Sequence, residues 1–164
     1  MNPRSPARID MVAKPDTMAE SAPRGRDLRS GTVLAFDFGE RRVGVAVGEL
    51  QLGVAHPLDT IDAEANDVRF ARIEALVNEW QPVLLLVGLP LALDGGEHAM
   101  TALARRFAQR LRGRYGIDTR LVDERLTSVE AEQQARDIGL DVRKARSKID
   151  QLAAKLILES YFNQ

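Results

Sequence analysis

Three carboxylates sit at the ends of ordered segments instead of on solvated faces. Asp37 closes the apolar run that starts at Val33 in VLAFDFGERRVGVAV, Glu124 follows the run Thr119 to Asp123 in LVDERLTS, and Asp150 lies one turn into KIDQLAAKLIL. Asp37 is in step with Val33 and Ala35, so strand alternation puts its side chain on an apolar face. Asp150 projects on the side of Ala153, Ala154 and Ile157, beside a buried stripe. A carboxylate taken out of water is costly unless it is paired, hydrogen-bonded or bound to a metal. Three such acids brought together would repel one another, and oxygen-only ligands suit a hard divalent cation such as Mg²⁺ or Mn²⁺. The chemistry this favours is phosphoryl transfer, with metal ions activating a water and stabilising the leaving oxygen.

Each acid also has a plainer reading. Asp37 before Phe38-Gly39 is placed to hydrogen-bond the backbone of a turn. Glu124 and its neighbour Asp123 are placed to pair with Arg125 or Arg120. Asp150 is placed as the acidic member of a capping box opened by Ser147, near a helix start where negative charge is favoured. Strand ends in a layered sheet point to one edge, where open α/β sheets build their sites, and that favours the three acting together.

Composition narrows the alternatives. The 164 residues suit one domain with a real core; 45% are hydrophobic and 29% charged, as in a soluble globular protein. With no Cys and two His, His56 and His98, the usual zinc ligand sets and a His-assisted nucleophile are disfavoured. No apolar run approaches the ~20 residues of a membrane span, and the expected location is the cytoplasm. Residues 1–30 hold four of the seven prolines and little periodicity, which predicts a disordered tail ahead of a domain at 31–164. The net charge of −1 hides an uneven distribution: Arg105 to Arg120 carries six bases and one acid, and Asp141 to Lys148 four bases and one acid. Such patches can hold a phosphate backbone, although a basic helix face is often only solvated.

The elements that must position these residues are readable. Val33–Phe38 and Arg42–Val47 read as a hairpin, and Val54–Ile61 as a third strand held at an edge by Pro57. Asp67–Trp80 has helical spacing. Pro82–Val87 is a wholly apolar strand, covered on both faces. Glu97–Tyr115 is a helix whose apolar stripe is avoided by Arg105, Arg106, Arg110, Arg112 and Arg114. Thr119–Asp123 is a strand, Thr127 opens a helix, and the last helix runs to about Phe162. The order βββ-α-β-α-β-α-α predicts a mixed sheet flanked by helices.

The segments FDFGERRVGVAV, VGLPLALDG, VDERLTSVEA and KIDQLAAKLIL, in this order, resemble the YqgF family, the RuvX-type group described as Holliday junction resolvases and pre-16S rRNA nucleases. The resemblance covers about residues 31–162. It implies an RNase H-like α/β fold, with a five-stranded sheet made of a three-stranded antiparallel meander and two parallel strands. It also implies a Mg²⁺- or Mn²⁺-dependent nuclease of structured nucleic acid. By motif, Asp37, Glu124 and Asp150 become the catalytic and metal-binding triad. Arg42, Arg125, Thr127 and Ser128 are placed to meet phosphate, with Arg105, Arg106 and Arg110 as a basic face. RNase H-like nucleases usually take a carboxylate from the end of the fourth strand. Here that strand ends Val87-Gly88-Leu89-Pro90, so the second acid has to come from Glu124.

Three functions remain open on this reading. The first is a nuclease processing the 5′ end of pre-16S rRNA, with a resolvase acting on branched DNA as its alternative. The second is a non-catalytic nucleic-acid-binding module in ribosome assembly or transcription, and the third a phosphate-cradling ATPase-like domain. Expected partners are pre-rRNA or branched DNA and the small ribosomal subunit, for a monomer or homodimer.

Overall fold

A computed structural model describes residues 28–125, 127–142 and 144–164. Most of the expected tail, residues 1–27, lies outside the described residues. Five strands run in chain order as β1 (Thr32–Phe38), β2 (Arg42–Glu49), β3 (Val54–Asp62), β4 (Leu84–Leu89) and β5 (Asp118–Asp123). Four helices join them: α1 (Asn66–Trp80), α2 (Ala99–Tyr115), α3 (Thr127–Asp137) and α4 (Arg146–Phe162).

The sheet order is β3-β2-β1-β4-β5. The first three strands are antiparallel, whereas β4 joins β1 and β5 joins β4 in parallel. This is the RNase H-like arrangement that the resemblance implies. As expected, Pro57 sits on an edge strand, where the β2–β3 register shifts between Val45 and Ala46. The fourth strand starts later than its apolar run suggests, at Leu84. Proline has no N–H for a ladder, and Pro82 precedes the strand as Val83 donates to the Thr32 carbonyl.

Strand alternation divides the core. Leu34, Phe36, Val43, Val45, Leu85 and Val87 face α1 and α2, where Phe70, Ile73, Phe107 and Leu111 meet them. Phe107 is the hub of that side, touching the rings of Phe36, Phe38 and Phe70. Val33, Ala35, Ala46, Leu84, Leu86 and Val122 face the opposite way, onto Ala154, Ile157 and Leu158 of α4. Asp37 shares the parity of Val33 and Ala35, and Glu124 that of Val122, so both acids fall on the α4 side. α3 then closes over α4 through Ala131, Ala135, Ile149 and Ala153.

Candidate active site

Asp37 stands at the end of β1, opposite Gly44 of β2. Glu124 comes one residue after β5, and its N–H donates to the Leu89 carbonyl, which carries the β4–β5 ladder one step further. Glu124 is 9% exposed. Room for it is made by Gly88: a Cβ there would stand 2.8 Å from both the carboxyl carbon and Oε1 of Glu124. At the end of the fourth strand this chain thus has a missing side chain, and the carboxylate that follows the next strand occupies the space.

Asp37 and Glu124 are hydrogen-bonded to one another through their side chains. Burial pushes Glu124 up to about 9, helped by the charge of Asp37 and by the hydrogen bond. Burial pushes Asp37 up to about 6; the bond from Glu124 opposes this, and the charge of Asp150 adds to it. At neutral pH the pair therefore holds one proton, on Glu124, which donates to the Asp37 carboxylate. Asp123 points to solvent and pairs with Arg125, Nη2 to Oδ2 at 2.7 Å, so alternation separates it from Glu124.

Asp150 enters from α4. Ser147 does not cap that helix, because α4 already begins at Arg146 with Ala145 as its N-cap. Ser147 contributes its carbonyl instead, which accepts from the Thr60 hydroxyl at 2.7 Å. The first turn of α4 lies so close to β2 that a Cβ on Gly44 would run into the Asp150 carbonyl. The Asp150 carboxylate accepts from Arg42 Nε at 2.7 Å. Among the described residues no three His, Asp or Glu side chains converge to hold a metal ion. The three acids lie as a pair plus one: Asp37 with Glu124, and Asp150 turned to Arg42 within electrostatic reach of Asp37.

The pair opens into a cleft of about 370 Å³, walled by Phe38, Pro90, Leu91, His98, Met100 and Val129. His98 is the residue sequence reasoning missed. In the sequence it stands out only as one of two histidines. In the structure it sits just ahead of α2, where the Thr101 hydroxyl donates to the Pro90 carbonyl and accepts from the His98 N–H. Arg69, also missed, is 3% exposed and braces the turn after Asp37. It donates to the carbonyls of Ala63 and Glu40 and lies over the Phe38 ring.

Three of the residues expected to meet phosphate are engaged within the protein. Arg42 is engaged by Asp150, and Arg125 by Asp123 and the Leu93 carbonyl. The side chains of Thr127 and Ser128 lie outside the described residues. Arg105 is paired with Glu97, whereas Arg106 and Arg110 are exposed on the solvent face of α2.

A family model described as RuvX, Holliday junction resolvase, matches residues 31–164. A protein of Methylobacillus flagellatus named "Putative pre-16S rRNA nuclease" is 59% identical over 133 residues, covering 81% of this chain and 91% of its own. One of Chromobacterium violaceum with the same name is 55% identical, covering 80% and 96%. Among solved structures, RuvC of T. thermophilus with a Holliday junction substrate aligns at a TM-score of 0.47 and 16% identity, over 80% of this chain and 93% of that one. A family match spanning the whole described sheet and all four helices, together with relatives sharing more than half of their residues, means that this chain belongs to the RuvX family.

Proposed function

We propose that this protein is a divalent-metal-dependent nuclease of structured nucleic acid, acting on the 5′ end of pre-16S rRNA. The observation that carries the reading is the Asp37–Glu124 pair, a half-buried and a buried carboxylate held against each other at the floor of an open cleft. A protein gains no stability from such an arrangement, since burial raises the cost of ionising both acids and the charge of Asp37 adds to it at Glu124. What the pair gains is a place for a cation in exchange for its proton.

The donor set fits Mg²⁺ or Mn²⁺: all-oxygen, with Asp37 and Glu124 as holders and Asp150, here turned to Arg42, as the third acid. When bound, such an ion supplies charge stabilisation at phosphate and an acidified water. The chain's own part is positional. Gly88 admits Glu124, Gly44 seats the first turn of α4, and Arg69 fixes the turn that follows Asp37. The names of the relatives support pre-16S rRNA as the substrate, and the family description supports a branched DNA as the alternative.

The test is cleavage of a pre-16S rRNA 5′ fragment and of a four-way DNA junction with Mg²⁺ or Mn²⁺, beside Asp37→Asn. The expected result is metal-dependent cut ends on the rRNA, reduced at least ~10²-fold in Asp37→Asn. Cleavage surviving Asp37→Asn overturns the site. Binding of RNA with a steep salt dependence, but with neither cleavage nor metal affinity, favours the non-catalytic module.

A further inference from the structure

Arg42 opens β2 and reaches across to α4, where its Nε donates to Asp150 Oδ2, 108 positions later in the chain. The two side chains are 26% and 18% exposed, so the pair is more sheltered than an ordinary surface ion pair. The backbone on both sides of Asp150 is pinned. Gly44 lies flush against its carbonyl, the Thr60 hydroxyl holds the Ser147 carbonyl, and Gln151 Nε2 donates to Thr60 Oγ1 at 3.2 Å. With the helix fixed, only the Asp150 side chain is free to choose a partner. Its partner here is Arg42, while its charge is also felt at Asp37. Arg42 in turn carries a planar fork that suits a carboxylate and a phosphate equally well.

We propose that Arg42 is a positioning residue acting through Asp150: it holds the third carboxylate away from the Asp37–Glu124 pair in the metal-free protein, and is released to bind a nucleic-acid phosphate when Asp150 is engaged by a divalent cation. The inference rests on the metal-site reading above. It makes the guanidinium an internal counter-ion that competes with metal for one carboxylate. Because coupling between two ligands is reciprocal, metal tightens nucleic-acid binding, and nucleic acid tightens metal binding by the same factor.

The experiment uses the full chain as wild type, Arg42→Gln and Arg42→Lys, each checked for native melting. Mn²⁺ affinity is measured by calorimetry without nucleic acid. Hairpin RNA affinity is measured by rapid-mixing anisotropy, before turnover, with and without Mn²⁺. The expected result is tighter Mn²⁺ binding in Arg42→Gln, by up to about fivefold, with Arg42→Lys returning toward wild type. Mn²⁺ should also tighten RNA binding in wild type and fail to do so in Arg42→Gln. Unchanged or weaker Mn²⁺ affinity in Arg42→Gln overturns the role of Arg42 while leaving the metal site standing. Absence of Mn²⁺ binding in wild type overturns both.

Discussion

Asp37 and Glu124 share a proton, and this makes the metal-free protein sensitive to pH in a definite direction. Burial raises both carboxyls, with the charge of Asp150 adding at Asp37 and that of Asp37 at Glu124, to about 6 and about 9, so the folded state holds protons that the unfolded chain releases near pH 4. The stability they allow is fully present below about pH 4 and is lost as the pH rises through about 6 and then about 9. Glu124→Gln keeps the volume and a donor for Asp37 but removes the ionisation. In chelator at pH 9 it should therefore be more stable than wild type by at least about 1 kcal/mol, with the gap closing toward pH 4. Urea unfolding at a series of pH values measures this; a gap that does not change with pH would mean that the Glu124 carboxyl is not raised in the folded state. Both residues are legible in the sequence because strand parity is local. Asp37 follows Val33 and Ala35 onto the α4 side, and Glu124 parts from Asp123 for the same reason. The partner of Arg42 is not legible, because nothing near position 42 names a carboxylate 108 residues away.

Elements bring the acids together through places where side chains are missing. Gly44 and Gly88 lie on the α4 side of the sheet, at the ends of β2 and β4 next to the site. A Cβ on Gly88 would press on the Glu124 carboxyl and on Cδ1 of Ile157, both side-chain ends that can move. A Cβ on Gly44 would meet the backbone of Asp150, which cannot. Gly88→Ala should cost about 1–3 kcal/mol, the usual range for overpacking, and Gly44→Ala more than that. Chemical denaturation of the two variants checks the order; equal costs would mean that α4 shifts freely on the sheet. Periodicity is enough to give the succession of strands and helices. Two boundaries differ from it for reasons of hydrogen bonding. Pro82 has no N–H to pair and falls outside β4, and α4 begins at Arg146, ahead of the expected cap at Ser147.

At the scale of the molecule, the cleft and the basic residues share one element. His98 and Met100, at and just inside the start of α2, line the cleft, while Arg106 and Arg110 are exposed further along the same helix. A nucleic acid leaving the cleft along α2 would meet those two, whereas Arg105 is tied to Glu97. Arg106→Ala with Arg110→Ala should lower the slope of log affinity against log salt by roughly 0.7–0.9 for each phosphate that is no longer neutralised, and Arg105→Ala by less. Titration at several salt concentrations measures the slopes; an unchanged slope in the double variant would place the nucleic acid elsewhere. The sequence by itself determined the element order and the parity that sets Asp37 with Val33 and Ala35 and Glu124 apart from Asp123, because alternation and helical spacing are properties of neighbouring residues. Tertiary structure alone decided who meets whom: Glu124 in the space left by Gly88, Asp150 turned to Arg42, and His98 at the rim of the cleft. Those distances depend on how closely separate elements pack, and that is set by side chains and glycines far apart in the chain.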